Sequence, residues 1–107
     1  MADPSPTLPD LFLYGKPGCH LCEDARSTIA RLLRARTDAG LPNPRLVERD
    51  ILSDPAWERD FFLTIPVIEL GGRRLELATS QARIRALLAD VLDSPSAQVI
   101  ATAPKAG

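Results

Sequence analysis

The sequence predicts a single α/β domain, a four-stranded mixed sheet flanked by helices in the order β-α-β-α-β-β-α. Three observations carry this. In the first half, short apolar runs alternate with longer amphipathic segments, which demands parallel strands joined by crossover helices. Further on, two apolar runs meet at Gly71-Gly72, a hairpin signal that adds an antiparallel pair. Finally, 107 residues that are 45% hydrophobic and 25% charged make one globular core rather than two.

Each element has its own justification. Leu11-Phe12-Leu13-Tyr14, closed by Gly15 and Pro17, reads as a buried strand, with Tyr14 either packed in the core or lining the edge of a site. Cys22, Ala25, Ile29, Leu32 and Leu33 then recur at helical spacing, until Gly40 and Pro42 stop the helix. Arg26, Arg31, Arg34 and Arg36 fall mostly on its other faces and read as a solvated surface. A second strand is expected over residues 45–51. Asp54-Pro55 supplies an N-cap followed by proline at the first helical position, opening a short helix that Trp57, Phe61 and Phe62 pack onto the sheet. The hairpin strands are expected over residues 64–70 and 73–77. Ser80 caps the last helix, whose apolar face is Ile84, Leu87, Leu88 and Val91. Residues 1–9 and 94–107 read as tails around a domain spanning 10–93, with Val99 and Ile100 able to dock the second tail.

A formal net charge of -1 gives no global reason to expect nucleic acid or an anionic membrane as partner. The N-terminus has no basic region, and the apolar run that follows is far too short for a signal peptide or a membrane span. The expected setting is therefore a cytoplasmic monomer.

Cys19 and Cys22 are the two cysteines, too few for a secreted disulfide framework. A bridge closing so short a loop would stabilise by only about 2 kcal/mol, against about 4.7 kcal/mol for a loop of about 100 residues. Such a pair is kept for chemistry. Cys19-His20-Leu21-Cys22 falls where the first strand hands over to the first helix. There the unpaired helix N–H groups and the positive end of the dipole favour a thiolate. The offset of three brings both sulfurs within reach on one turn, so that one attacks and the other resolves. Lys16 and a protonated His20 favour a Cys19 thiolate, whereas Glu23 and Asp24 oppose it. His20 reads equally well as a solvated loop residue, and Lys16 also as an ordinary surface lysine. A zinc half-site is the competing reading of the pair, but only His20 remains as a further nitrogen or sulfur donor in a monomer, so no metal site is expected.

Lys16-Pro17-Gly18-Cys19-His20-Leu21-Cys22, with Thr64-Ile65-Pro66 some forty residues on, resembles the thioredoxin fold and, within it, the glutaredoxin family. The C-H-L-C-E-D-A form is similar to that of small bacterial glutaredoxin-like proteins, over about residues 10–92. The resemblance implies a three-layer thioredoxin-like fold and a thiol–disulfide oxidoreductase. Cys19 would be the nucleophile and Cys22 the resolving cysteine. Lys16 would bind substrate and tune the thiolate together with His20. Pro66 would be cis and face the disulfide, while Ile65 offers its backbone to an extended thiol peptide. No cofactor is implied beyond glutathione as a possible co-substrate, and the partner is a disulfide-containing protein or a low-molecular-weight thiol. Glutaredoxins carry Gly-Gly and then acidic residues after the hairpin, which bind the γ-glutamyl end of glutathione. Here Glu76-Leu77-Ala78-Thr79-Ser80-Gln81 stands instead, and Gly71-Gly72 lies too early and reads as the hairpin turn. Two readings from other classes remain beside the enzyme: a binding or adaptor module that keeps the motif without redox turnover, and a bridged iron–sulfur dimer.

Overall fold

The structure is a computed structural model and describes residues 8–93. The central strand β1 (Leu11–Gly15) is apolar on both faces and accordingly has neighbours on both edges. It pairs in parallel with β2 (Leu46–Asp50) and antiparallel with β3 (Val67–Leu70), which in turn pairs antiparallel with β4 (Arg73–Leu75). The sheet order is thus β2-β1-β3-β4. The helices α1 (His20–Asp38), α2 (Pro55–Phe61) and α3 (Gln81–Leu88) complete the expected β-α-β-α-β-β-α order, and a π-helical turn, Ala89–Asp93, extends α3.

Side chains alternate across the sheet and build two cores. Leu11, Leu13, Ile68 and Leu70 meet Ala25 and Ile29 of α1 and Ile84, Leu87 and Leu88 of α3. Tyr14 and Val67 face the other way, against Ile51, Ile65 and Phe61 of α2. Ile29, Ile68 and Val67 are fully buried, and each such side chain stabilises the fold by roughly 1.5–3 kcal/mol. The predicted caps form: Asp54 accepts from the Ala56 N–H at 2.9 Å, and Ser80 Oγ from the Arg83 N–H at 3.2 Å. Gly71 and Gly72 take φ of 58° and 82° in the hairpin turn, a conformation that glycine adopts without steric cost.

The strands are shorter than their apolar runs. β2 stops at Asp50, whose carboxylate accepts from the Leu52 N–H and starts a 3-10 turn at Ile51. β3 begins only at Val67, because Pro66 has no N–H for the ladder. β4 ends at Leu75, two residues before Leu77, whose φ of 50° is incompatible with a strand. That left-handed conformation costs a leucine about 1–2 kcal/mol, because its Cβ crowds the following carbonyl.

The expectation of a solvated arginine face on α1 is corrected at Arg36. Its residue is 8% exposed, with Nη1 and Nη2 donating to Asp93 at 2.9 and 3.0 Å, Nε to Asn43 at 3.1 Å and Nη2 also to the Pro42 carbonyl at 2.6 Å. This fork ties the end of α1 to the turn that follows α3. Arg26, Arg31 and Arg34 are exposed as expected. Packing of the aromatic trio on α2 is likewise corrected for Phe62, which is 50% exposed, whereas Phe61 is buried. The tail residues 1–7 and 94–107, including Val99 and Ile100, lie outside the described residues.

Two predictions follow from these contacts. Arg36→Met keeps the stem but leaves Asp93 and Asn43 without their cation; because Asp93 is partly exposed, the expected loss is about 2–4 kcal/mol in urea unfolding, toward the low end of what breaking a buried pair costs. Tyr14 is the one tyrosine of the chain, so its titration can be read alone by tyrosinate absorption. Burial pushes its phenol above the ordinary 10.0; the Tyr14 hydroxyl donates to Glu69, which pushes the same way, while Arg49 donates to the hydroxyl and pulls back. A folded-state value above the unfolded one means a contribution intact below about pH 10 and lost as pH rises through the folded value. The absorption midpoint is expected above 10.0 in the folded protein and at the ordinary value in urea.

Candidate functional site

The reversal from β1 to α1 takes only residues 16–19. Lys16-Pro17-Gly18-Cys19 closes as a tight turn, with the Cys19 N–H donating to the Lys16 carbonyl at 3.3 Å. Proline second and Gly18 third, at φ 76°, is the arrangement of a type II turn. The turn delivers Cys19 to the N-cap of α1 in extended conformation, φ -93° and ψ 106°. Its sulfur is the capping atom, accepting from the Cys22 N–H at 3.1 Å, while the Cys19 carbonyl accepts from the Cys22 and Glu23 N–H groups, each at 3.1 Å.

Cys19 and Cys22 are joined in a disulfide, their Cα atoms 5.2 Å apart. The two sulfurs have unequal surroundings. Cys19 is half-buried, whereas Cys22 is 4% exposed and packs with Tyr14, Ile51, Phe61, Ile65 and Val67. Gly15 makes room for it: a Cβ there would lie 3.0 Å from both Cβ and Sγ of Cys22. A cavity of about 280 Å³ opens beside Cys22, bounded also by Gly15, Lys16, Gly18, Arg26 and Glu48. Arg26 and Glu48 close part of it with a 2.7 Å ion pair.

Lys16 leans over the Phe62 ring, its Nζ 5.1 Å from the centroid. His20 is 85% exposed at its side chain and lies 3.9 Å from Asp24 Oδ2. The Ile65-Pro66 bond is cis, as the resemblance implied. Ile65 belongs to the same core cluster as Cys22, with Cys19 packed against it, so the loop before β3 and the start of α1 meet at the disulfide. The Ile65 N–H already donates to the Phe61 carbonyl at 3.1 Å. Of the expected residues, Cys19, Cys22, Ile65 and Pro66 share this end of the sheet, Lys16 borders it, and His20 stands out in solvent.

Tyr14 is buried rather than lining the site, packed edge-on against Trp57 at 5.6 Å and against Phe61 at 4.7 Å. Gly15 and Phe62 are not among the expected site residues, whereas Leu77 falls in the segment 76–81 that the resemblance sets against the Gly-Gly and acidic residues of glutaredoxins. Gly15 was legible as a glycine between a strand and a proline, but its contact with Cys22 was not. Leu77 carries no signal, since leucine is not a residue expected at positive φ. Among the described residues no group of three or more His, Cys, Asp or Glu side chains is placed to hold a metal ion, and no helix is long and apolar enough to cross a membrane.

Comparisons with known proteins agree with this geometry. The family model described as Glutaredoxin-like domain (DUF836) matches residues 10–92. The X-ray structure of a structural-genomics target from X. campestris, XcR50, is 32% identical, with a TM-score of 0.59 over 73% of this chain and 93% of its own. The solution structure of the same target is 31% identical, with a TM-score of 0.57 over 74% and 91%. No curated protein matches significantly.

The contact at Gly15 yields a prediction. Gly15→Ala forces Cys22 or the end of β1 to shift by a few tenths of an ångström, and the oxidised protein is expected to lose about 1–3 kcal/mol in urea unfolding, as overpacking does. An unchanged midpoint would show that the neighbours yield freely.

Proposed function

The chain belongs to the glutaredoxin-like domain family, and from that premise we propose that it is a thiol–disulfide oxidoreductase working through Cys19 and Cys22. The observation that carries the reading is the unequal pair: a half-buried cysteine whose sulfur caps a helix, bonded to a buried one.

In the reduced protein the Cys19 thiolate attacks a substrate disulfide. One S–S bond forms, the substrate's breaks, and one substrate thiolate leaves to take a proton from water. The Cys22 N–H that meets Cys19 Sγ supports the charged nucleophile, since a hydrogen bond to a charged group contributes about 1.5–3 kcal/mol. A stabilised thiolate is a weaker nucleophile but a better leaving group. This support therefore helps most when external thiol attacks the substrate-side sulfur of a mixed disulfide and Cys19 departs, and not in the second step of the forward path, where Cys19 is the sulfur attacked. In that step the Cys22 thiolate attacks Cys19 Sγ of the mixed disulfide, the Cys19–Cys22 bond forms, and the second substrate thiol departs. Two electrons have passed from the dithiol to the substrate. External thiol or a reductase restores the pair.

Burial of Cys22 favours its role as resolving cysteine, since an incoming disulfide meets Cys19 first. Lys16, beside the turn, supplies a cation for substrate binding and for the thiolate, with His20 as the second tuner. Pro66 and Ile65 form the wall against which an extended thiol substrate lies. The substrates are disulfides of proteins or glutathione mixed disulfides, handled by a cytoplasmic monomer without a resident cofactor.

Titration in glutathione and dithiothreitol buffers tests the reading: the pair is expected to equilibrate between about -120 and -300 mV. A pair inert across that range leaves the adaptor as the surviving function. Cys19→Ser should reduce disulfide exchange to the uncatalysed rate. Cys22→Ser should still form the mixed disulfide at Cys19 and accumulate it, with turnover lowered about tenfold or more.

A further inference from the structure

Leu77 is the non-glycine residue with positive φ among the described residues, at 50°. Its backbone is held there from both sides. The Leu77 N–H donates to the Thr64 carbonyl at 2.9 Å, its own carbonyl accepts from Thr79 at 2.7 Å, and the next residue, Ala78, donates to the Pro66 carbonyl at 2.8 Å. The strained residue is therefore laced to the carbonyls on both sides of Ile65, and Ile65 packs with the cysteine pair.

The side chain gains little in return, since Leu77 is 54% exposed. Leu63, which precedes Thr64, is 82% exposed. Glycine would relieve the strain and asparagine would tolerate the conformation, and both would remove apolar surface from water. A large apolar side chain kept in a strained backbone, on a segment bonded to the loop that packs with the cysteine pair, is what a contact with substrate explains, because strain of this kind collects at sites where it serves function.

We propose that Leu77 is a specificity-determining residue, and that the substrate it meets is a polypeptide disulfide with an apolar side chain beside its cysteine. The inference rests on the redox reading above and deepens it. The exchange itself is the one already written; Leu77 adds binding, with no part in bond making. A glutathione disulfide presents no such side chain and would gain nothing from it.

The test uses the full chain and three probes: a disulfide-bridged peptide with leucine beside its cysteine, the same peptide with serine there, and glutathione disulfide. Wild type is expected to have a lower KM for the leucine peptide than for the serine peptide. Leu77→Gly should raise KM for the leucine peptide about five- to tenfold, as loss of a half-buried apolar contact does, with kcat changed less than twofold. KM for the other two probes should not move. Leu77→Met, which keeps the apolar bulk, should retain the wild-type preference. Thermal unfolding of Leu77→Gly should not fall, since strain is released; should it fail to fold, Leu77→Asn serves in its place. Equal KM for the two peptides in wild type, or a preference that survives Leu77→Gly, overturns the proposal while leaving the redox reading intact. A wild type that equilibrates with glutathione yet reduces neither peptide also overturns it. A pair that exchanges with none of the three probes fails the redox reading itself, and the proposal with it.

Discussion

The four-residue reversal between β1 and α1 is the constraint on which the rest of this structure depends. β1 is the central strand, parallel to β2, and a parallel neighbour can be reached only through a crossover. α1 is that crossover, so its N-terminus must lie at the carboxyl end of β1. Pro17 and the left-handed Gly18 make the reversal short enough for the residue after them to become the cap. With Cys19 in that position, its sulfur meets a helix N–H and the positive end of the dipole, while Cys22, three residues on, turns inward. A longer or looser connection would leave the cap to another residue and remove the difference between the two sulfurs.

The two faces of the sheet are held by different physics. Beneath α1 and α3 the contacts are almost wholly apolar. Among the described residues the other face is covered by α2, seven residues long, and by Ile51 of the 3-10 turn. Charge and aromatic surface do the remaining work there. The Arg49 guanidinium lies 4.1 Å from the Phe12 ring centroid and 5.0 Å from that of Trp57, and donates to the Tyr14 hydroxyl at 3.0 Å. Tyr14 in turn donates to Glu69 at 3.0 Å, and Arg74 pairs with Glu69 at 2.9 Å while lying over Phe61. This chain of contacts spans β2, β1, β3 and β4. It fixes Tyr14 and Phe61, which belong to the same cluster as Ile65 and Cys22, so these contacts brace the end of the sheet that holds the disulfide.

What could be read from the sequence was whatever is encoded locally. Short apolar runs and helical periodicity placed the four strands and three α-helices; Asp54 and Ser80 placed two helix starts; Gly71-Gly72 placed the hairpin. C-x-x-C at a strand-to-helix junction placed the disulfide-bonded pair. Arg36 escaped because its partners are distant: Asp93 is 57 residues away, and helical periodicity marks a position as polar without saying that it finds a carboxylate in the core. Strand ends escaped for a related reason, since an apolar run continues past the last ladder bond whenever a proline or a turn ends the pairing, as at Pro66 and Asp50. The cis bond at Pro66 came from the family resemblance, and nothing in the residues themselves required it.

Leu77 escaped for the opposite reason, because there the residue and the backbone disagree. The resemblance leads one to expect Gly-Gly and acidic residues in the segment that residues 76–81 occupy. The left-handed turn that glycine would adopt freely is nevertheless present, at φ 50°, and it is bonded to the loop carrying Pro66. The segment bonded to the Pro66 loop thus makes a left-handed turn at a residue that carries a large apolar side chain. The Thr64 and Pro66 carbonyls accept from Leu77 and Ala78 and so hold the shape of this segment. On the inference proposed above, selectivity at this edge is assigned to side chains. Those on this edge are Leu77 and Leu63, with Lys16 and Phe62 across the turn, and with a net charge of -1 over the chain no long-range field substitutes for them.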